Sequence, residues 1–163
     1  ADASRAFVVF VLGGPGVGKG TQCHRIADVF GYRHLSAAEL LRQEAAKPDS
    51  PDSEMITKHM SEGTLVPPGL VVKLLKNAIE YSGWSEKYLI DGFPLDIDDM
   101  FIWDQELSGK ATIHFVLWIN CSVGCMEARL VERGKISGRE DDKVEIVKQR
   151  IRRFQEQSAP LAT

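Results

Sequence analysis

Apolar residues along this chain form short unbroken runs that alternate with amphipathic segments. The first run, residues 7–12, contains β-branched, aromatic and leucine side chains without a polar interruption, which is typical of a strand buried on both faces of a parallel sheet. Between Lys19 and Phe30 the apolar residues recur at helical spacing, and Gly31 ends the pattern, as glycine commonly does after the last turn of a helix. The pattern therefore predicts a strand, a glycine-rich turn and a helix at the start of the fold.

The remaining pattern predicts a regular alternation of strands and helices. Strands are expected at residues 32–35, 88–90 and 113–119, and helices at residues 36–46, 52–62, 68–81, 97–107, 123–131 and 143–157. The polar, glycine-containing segment 132–142 is expected to separate the last two helices. Strands alternating with helices predict an α/β fold with a doubly wound parallel sheet and helices on both faces.

Composition and charge restrict the function classes. The 163 residues are 44% apolar and 26% charged, as in a single soluble domain. A net charge of −3 argues against nucleic-acid binding as the main function, because a phosphate-tracking surface is usually strongly basic. The apolar runs are far shorter than the ~20 residues that cross a bilayer, so no membrane association is expected. The few residues before the first strand leave no room for a signal peptide, which favours a cytoplasmic protein.

The cysteines favour a reducing compartment and argue against zinc. Cys23, Cys121 and Cys125 are odd in number and form no paired framework, so free structural thiols are the simplest interpretation. Cys121 and Cys125 have no further cysteine or histidine nearby, and a tetrahedral zinc site needs more ligands. The 4 histidines show no spacing typical of metal ligands or of a catalytic triad, and we interpret them as structural.

A glycine-rich segment with a lysine, residues 13–21, lies between the first strand and the first helix, which is the context that a phosphate-binding loop requires. The glycines allow backbone N–H groups to approach phosphate oxygens at a helix N-terminus. Lys19 would supply a mobile positive charge for the β and γ phosphates, which a merely connecting turn would not need. The candidate ATP-binding residues in this loop are Gly14, Pro15, Gly16, Val17, Gly18, Lys19, Gly20 and Thr21.

The position after Lys19 narrows the family. It is Gly20, and the hydroxyl follows one place later at Thr21, whereas the common loop has serine or threonine directly after the lysine. Residues 13–22 strongly resemble the adenylate kinase superfamily of nucleoside monophosphate kinases, and segments 34–42, 65–67, 89–94 and 129–150 match it in family order. Within the superfamily, Leu-Ser-Ala at 35–37 and residues 47–50 look most similar to UMP-CMP kinases, with adenylate kinase as the nearest alternative.

The resemblance implies a fold and a reaction. It implies one P-loop kinase domain over residues 1–163, with a helical monophosphate-binding section at about 36–66 and a short lid at about 133–143. The lid contains no cysteine or histidine, which excludes the zinc-bearing long-lid variant. The implied reaction is transfer of the γ-phosphoryl group from ATP, with Mg²⁺, to a nucleoside monophosphate, UMP or CMP in the first place. AMP as the acceptor, or a nucleotide-binding module with weakened catalysis, are the alternatives, and the family suggests a monomer.

The resemblance also implies roles for individual residues. The catalytic set would be Lys19, Arg133, Arg139 and Arg150. Arg129 and Arg133 would add to the ATP site, and their i to i+4 spacing places them on one helix face. A solvated basic helix paired with acidic residues is the alternative for these arginines. The implied monophosphate-binding residues are Ser36, Arg42, Leu65, Val66, Gly92, Phe93, Asp99, Arg139 and Arg150.

Asp91 is the candidate for the metal. It follows an apolar strand, and ligands of doubly wound sheets bind at the carboxyl ends of strands. A carboxylate there is suited to hold Mg²⁺ through a water molecule. Capping of the following turn is its alternative role.

Two positions depart from the family pattern in the acceptor site. The family continues Gly-Phe-Pro with an arginine for the acceptor phosphate, and this chain has Leu95. Loss of a charged hydrogen bond worth about 1.5 to 3 kcal/mol would weaken the reaction roughly ten- to a hundredfold, and Leu95→Arg would then raise catalytic efficiency. At the base-reading position the family has Asn or Gln and this chain has Asp99.

A carboxylate at position 99 accepts hydrogen bonds and donates none. Asp99 would therefore suit the amino group of cytosine or N3–H of uracil better than N1 of adenine, while guanine, with two adjacent donors, stays open. The chain stops after Pro160–Thr163, where the family continues into a last strand and helix. The strand at 113–119 would then have an uncovered edge, so we expect the sequence to be a fragment of a longer polypeptide.

Overall fold

The computed structural model describes residues 5–162 and contains a four-stranded sheet with the strand order β2-β3-β1-β4. The strands are β1 (Ala6–Leu12), β2 (Arg33–Ser36), β3 (Lys87–Asp91) and β4 (Ala111–Trp118). Every paired neighbour in the sheet is parallel. The predicted parallel α/β sheet is confirmed.

Helices connect the strands, as parallel pairing requires. They are α1 (Lys19–Phe30), α2 (Ala37–Ala45), α3 (Ser53–Glu62), α4 (Pro68–Ser82), α5 (Ile97–Leu107), α6 (Val123–Ser137) and α7 (Val144–Arg153). A 3₁₀ turn, Glu140–Asp142, joins α6 to α7, and a π turn, Phe154–Ser158, with a 3₁₀ turn, Ala159–Ala162, follows α7.

Side chains of β1 alternate between two core clusters because successive residues of a strand point to opposite faces. Val8 and Phe10 belong to a cluster that includes α4 and α5 side chains such as Trp103. Val9 and Val11 belong to a second cluster that includes α1 residues. Helices therefore cover both faces of the sheet, and the continuous apolar run of β1 is explained by burial on both sides.

The segment between the last two helices differs from the expectation. Helix α6 continues to Ser137, whereas the polar residues from 132 onward predicted an irregular segment. Gly134 does not end the helix because the chain folds back against it, and a Cβ at this position would lie 3.0 Å from the carbonyl oxygen of Asp142. The last α-helix is also shorter than expected, since it ends at Arg153 and continues as a π turn.

The edge strand β4 exposes Ile113, Phe115 and Val116. The expectation about the start of the chain falls on residues 1–4, which lie outside the described residues. Within residues 5–162, none of the helices combines the length and the apolar character needed to span a membrane.

Candidate active site

The glycine loop occupies the carboxyl end of β1, beside the end of β3. Val11 of β1 pairs with Asp91 of β3, so the loop and this carboxylate lie together at the carboxyl ends of the two central strands. Gly16 has φ +80°, and a Cβ there would lie 2.8 Å from Cγ of Leu130. Gly16 is therefore required both by its backbone conformation and by the close approach of α6.

Lys19 closes the loop on itself. Its Nζ donates hydrogen bonds to the carbonyl oxygens of Gly13 and Gly14, both at 2.9 Å. Burial lowers the pKa of Lys19 to about 8, the attraction of Asp91 opposes this, and the nearby Arg150 lowers it further. The ammonium group is thus held where its charge is incompletely neutralised, which favours binding of an anion.

A cavity of about 730 Å³ opens above the loop. Its walls are the loop, the start of α2, the ends of β2 and β3, and five arginines of α2, α6, α7 and the turn after α6. The predicted site residues in its lining are Pro15, Gly16, Gly18, Lys19, Gly20, Thr21, Ser36, Arg42, Asp91, Gly92, Arg133, Arg139 and Arg150. The phosphate loop, α2 and the α6–α7 region, which are distant in sequence, thus all place cationic side chains around this cavity.

Two of the predicted catalytic arginines are also ion-paired. Arg133 donates two hydrogen bonds to the carboxylate of Asp142, from Nε at 2.7 Å and from Nη2 at 2.6 Å. Arg150 Nη1 lies 3.0 Å from Oδ2 of Asp141. The carboxylates hold these guanidinium groups beside the cavity. Pairing with acidic residues is therefore compatible with binding of a ligand by the same arginines.

Arg139 differs from the other arginines of this cavity. Among the described residues, its guanidinium group has no hydrogen-bond partner, whereas Arg42 donates to Glu39 at 3.0 Å and lies 3.9 Å from Asp141. Burial lowers the pKa of Arg139, and repulsion from Arg42 and Arg133 lowers it further. An anion in the cavity would relieve that repulsion.

Asp91 is buried and contacts two residues that we had interpreted as structural. The imidazole of His34 donates from Nε2 to Oδ2 of Asp91, and Cys23 completes a group whose ligand atoms lie within 4.8 Å of one another. His34 also lines the cavity. This contact could not be predicted from the residues around His34, because it depends on β2 lying next to β3.

The group around Asp91 fits magnesium through a single carboxylate. Burial raises the pKa of Cys23 to about 12, so its thiol stays protonated and offers no anionic ligand. Mg²⁺ prefers oxygen ligands and usually keeps several waters. The carboxylate of Asp91 and the hydroxyl of Thr21, both in the cavity lining, are two oxygen groups that suit it.

A second cavity of about 230 Å³ lies between α2, the segment after α3 and the start of α5. Its lining includes the predicted monophosphate-binding residues Leu65, Val66, Gly92, Phe93, Asp99 and Arg150. Phe93 is fully buried, and Val66 is nearly so. This cavity is smaller and more apolar than the first, as expected of a pocket for a planar base.

Asp99 is fixed by backbone groups at the start of α5. Its Oδ2 accepts a hydrogen bond of 2.7 Å from the N–H of Leu95, and its own N–H donates to Asp96 at 3.0 Å. Burial raises the pKa of Asp99 to about 6, although the hydrogen bond from Leu95 opposes the shift. The carboxylate is therefore ionised at neutral pH at a cost to the folded state.

Replacement of Asp99 by asparagine should raise stability at neutral and alkaline pH. The pKa of this carboxyl rises from 3.8 to about 6 on folding, so the folded state loses stability as the pH rises from about 4 through 6. Asparagine keeps an oxygen for the N–H of Leu95 and has no charge to desolvate. We expect the free energy of unfolding at pH 8 to increase by roughly 1 to 3 kcal/mol.

Urea unfolding of wild type and Asp99→Asn at several pH values measures this difference. The gain should shrink as the pH falls from 6 toward 4. The exposed neighbour Asp98 provides the control, since Asp98→Asn should change stability by less than about 0.5 kcal/mol. A gain that is the same at pH 4 and pH 8 would contradict the explanation by charge burial.

Three predicted ATP-binding residues lie outside both cavity linings. Gly14 and Val17 are buried, and a Cβ at Gly14 would lie 2.3 Å from Sδ of Met126. Arg129 Nη1 donates to the carbonyl oxygen of Val17 at 3.1 Å. Arg129 thus contacts the loop from the α6 side, and any contact of Gly14 or Val17 with a phosphate would come from the backbone.

Sequence reasoning missed Arg153 and Ser158. Arg153 lines both cavities, and Ser158 lines the first and donates to the carbonyl oxygen of Leu95 at 2.6 Å. The sequence only weakly indicated that Arg153 belongs to the site, because this residue is one of several cations on an amphipathic helix. Only the packing of α7 distinguishes Arg153, which is half-buried, from its exposed neighbour Arg152.

A glycine loop with its lysine, a ring of arginines and an adjoining apolar cavity define a P-loop nucleotide-binding protein with the features of a phosphotransferase. The family model for adenylate kinase matches residues 11–163, and the chain belongs to the adenylate kinase family. The UMP-CMP kinase of Mus musculus is 45% identical over 161 residues, 96% of this chain and 82% of the relative. The Homo sapiens UMP-CMP kinase is 44% identical with the same coverage. The predictions of the superfamily and of an ATP-dependent nucleoside monophosphate kinase are thus confirmed.

Proposed function

We propose that this protein transfers the γ-phosphoryl group of ATP to UMP or CMP. The observation that carries the proposal is the pair of adjoining cavities, a large one lined by the phosphate loop and arginines and a small one lined by Asp99. The relatives named UMP-CMP kinase support the choice of acceptor. ATP would bind in the larger cavity and the base of the acceptor in the smaller one.

The reaction needs positioned charge and no general base. The second pKa of a phosphate monoester is about 6, so the acceptor is a dianionic nucleophile at neutral pH. One of its oxygens forms a bond to the γ-phosphorus while the bond from that phosphorus to the β–γ bridging oxygen breaks, and ADP leaves with the electron pair. Negative charge on the equatorial oxygens is the quantity that the protein must stabilise.

In this proposal the cations divide the task. Lys19 contacts the β and γ phosphates, Arg133 and Arg139 close on the transferring group, and Arg150 binds between donor and acceptor. Arg42 holds the acceptor phosphate. The absence of a guanidinium hydrogen bond at Arg139 within the described residues, and the lowered pKa values of Arg139 and Arg150, support sites that await an anion.

Magnesium bound with ATP would supply further positive charge against the phosphate oxygens. The carboxylate of Asp91 would hold it through a water molecule, and the hydroxyl of Thr21 would contribute a second oxygen. His34 would keep the carboxylate in its orientation through the Nε2 hydrogen bond. We further propose that residues 36–66 form the acceptor section and residues 133–143 the lid.

Asp99 supports a pyrimidine acceptor. Its Oδ2 is bonded to the N–H of Leu95, so the carboxylate faces the second cavity with a fixed orientation and accepts hydrogen bonds only. The amino group of cytosine and N3–H of uracil are donors that match it. N1 of adenine is an acceptor, and two acceptors facing each other leave both unsatisfied.

A panel of UMP, CMP, AMP and GMP with ATP tests the proposed function through ADP formation. We expect kcat/KM for CMP and UMP to exceed that for AMP by about ten- to a hundredfold. Asp99→Asn should narrow this gap, because an amide can also donate to adenine N1. AMP as the best acceptor would contradict the assignment, and no ADP with any acceptor would favour a nucleotide-binding module without efficient catalysis.

A further inference from the structure

The two cavities share a small common border. The residues that line both are Ala38, Gly92, Leu95, Arg150 and Arg153. If the larger cavity takes the ATP phosphates and the smaller takes the acceptor base, the acceptor phosphate must lie at this border, because it connects the base to the γ-phosphoryl group. Arg150 and Arg153 are the cations of that border.

The positive charge of Arg153, unlike that of Arg150, is not balanced by a nearby carboxylate in the described part of the chain. Arg150 lies within ion-pair distance of Asp141 and Asp142, whereas Arg153 has no carboxylate within that distance among the side chains that the structure describes. The guanidinium group of Arg153 donates from Nη1 to the carbonyl oxygen of Gly63, a neutral acceptor. Burial lowers the pKa of Arg153, the charge of Arg150 lowers it further, and the weaker attraction of Asp96 opposes this shift.

Leu95 lies at the same border and is uncharged, whereas the family has an arginine at this position. Its backbone is held at both ends, by the hydrogen bond from its N–H to Asp99 and by the hydrogen bond from Ser158 to its carbonyl oxygen. Leu95, like Arg153, lines both cavities. Arg153, from the end of α7, therefore brings a cation to the border that Leu95 also lines.

We propose that Arg153 binds the phosphate group of the acceptor monophosphate at the border of the two cavities and supplies there the positive charge that Leu95 lacks. The inference rests on the proposed function for the identity of the acceptor. A guanidinium group offers several N–H donors, so its bond to Gly63 leaves others for phosphate oxygens. Arg153 is thus an acceptor-binding residue, and it also ties the segment after α3 to α7.

Binding of CMP and of cytidine to the same variants separates the phosphate contact from a structural role. Isothermal titration calorimetry of wild type should show much tighter binding of CMP. In Arg153→Met we expect CMP affinity to fall about ten- to a hundredfold while cytidine affinity stays unchanged. Arg153→Lys, which retains charge, should recover part of the loss. Arg152→Met, at the exposed neighbour, should bind both ligands as wild type does.

Charge at position 95 provides a second measurement. In the Arg153→Met background, Leu95→Arg should restore most of the CMP affinity and lower KM for CMP, with KM for ATP little changed. In the wild-type background, where Arg153 is present, the same substitution should have a smaller effect.

Each result bears on the inference separately from the proposed function. Equal loss of CMP and cytidine binding in Arg153→Met would overturn the inference and assign Arg153 to structure alone, as would unchanged CMP affinity. Equal affinity of wild type for CMP and cytidine would also overturn it. If wild type forms no ADP with any acceptor, the proposed function fails, yet the CMP–cytidine difference in Arg153→Met still decides whether Arg153 binds the phosphate.

Discussion

Replacement of Lys19 by methionine should lower kcat for ADP formation about a thousandfold while leaving the protein folded. The ammonium group of Lys19 lies in the phosphate loop, bonded to the carbonyl oxygens of Gly13 and Gly14. When ATP binds, those neutral acceptors compete poorly with phosphate oxygens, and the charge becomes available where negative charge develops in the transition state. Methionine has similar length and no charge, so it removes that stabilisation with little change in volume.

Stability should respond differently from activity. Because burial lowers the pKa of Lys19 to about 8, the folded state carries a cost for this charge at all pH values below 8, and that cost disappears as the pH rises toward 10.5. Methionine removes the cost and also removes two hydrogen bonds. We expect these effects to offset each other, leaving the free energy of unfolding at pH 7 within about 1 kcal/mol of wild type.

Initial rates with saturating ATP and CMP, together with urea unfolding, test both parts. The control is Lys135→Gln, because Lys135 is an exposed lysine paired with Glu132 on the surface of α6 and should affect neither quantity appreciably. A Lys19→Met protein with kcat within tenfold of wild type would contradict the role of this ammonium. A large loss of stability would show that the loop needs Lys19 to fold.

Substitution of Arg139 by glutamine is expected to lower kcat about a hundred- to a thousandfold with almost no loss of stability. Within the described part of the chain its guanidinium group has no hydrogen bond, and burial together with Arg42 and Arg133 lowers its pKa. Asp141 and Asp142 attract this group more weakly than Arg42 and Arg133 repel it, so a bound anion would supply the close partner that it lacks. Glutamine removes the charge and relieves the repulsion.

Arg150→Gln provides the contrast for Arg139→Gln. Arg150 is bonded to the carbonyl oxygen of Asp141 and paired with the carboxylates of Asp141 and Asp142. Removal of one partner from a largely buried pair leaves charge uncompensated, so this variant should lose stability as well as activity. If Arg139→Gln destabilises the protein as much as Arg150→Gln, the interpretation of Arg139 as an unpaired cation is wrong; retained kcat would contradict its catalytic role.

The elements of the sheet could be predicted because their signals are local. The apolar run of β1 and the glycine after α1 depend on residues close in sequence, and the observed bounds agree with the expected ones to within a few residues. The extent of α6 could not be predicted in this way. Its last turns are stabilised by the pairing of Arg133 with Asp142 and by the packing of Gly134, which depend on the chain folding back.

In the candidate site, too, some residues could be predicted from local sequence and others depend on tertiary contacts. Lys19 and the glycines form a contiguous motif whose chemistry depends on spacing alone, and the resemblance to the family pointed to Arg139 and Arg150. The hydrogen bond from His34 to Asp91 depends on β2 lying next to β3. No residue near His34 in sequence indicates that contact.

By itself, the sequence determined the phosphate loop, the parallel α/β fold and the family, because each depends on local patterns. The loop is one contiguous motif, while the fold and the family follow from several such patterns in order along the chain. Only the tertiary structure decided which arginines are neutralised and which are available. Arg150 is paired with carboxylates, Arg139 has no such bond within the described residues, and Arg153 lies between two cavities. The physical reason is that the energy of a charge depends on burial and on neighbours from distant segments, and packing alone brings those neighbours together.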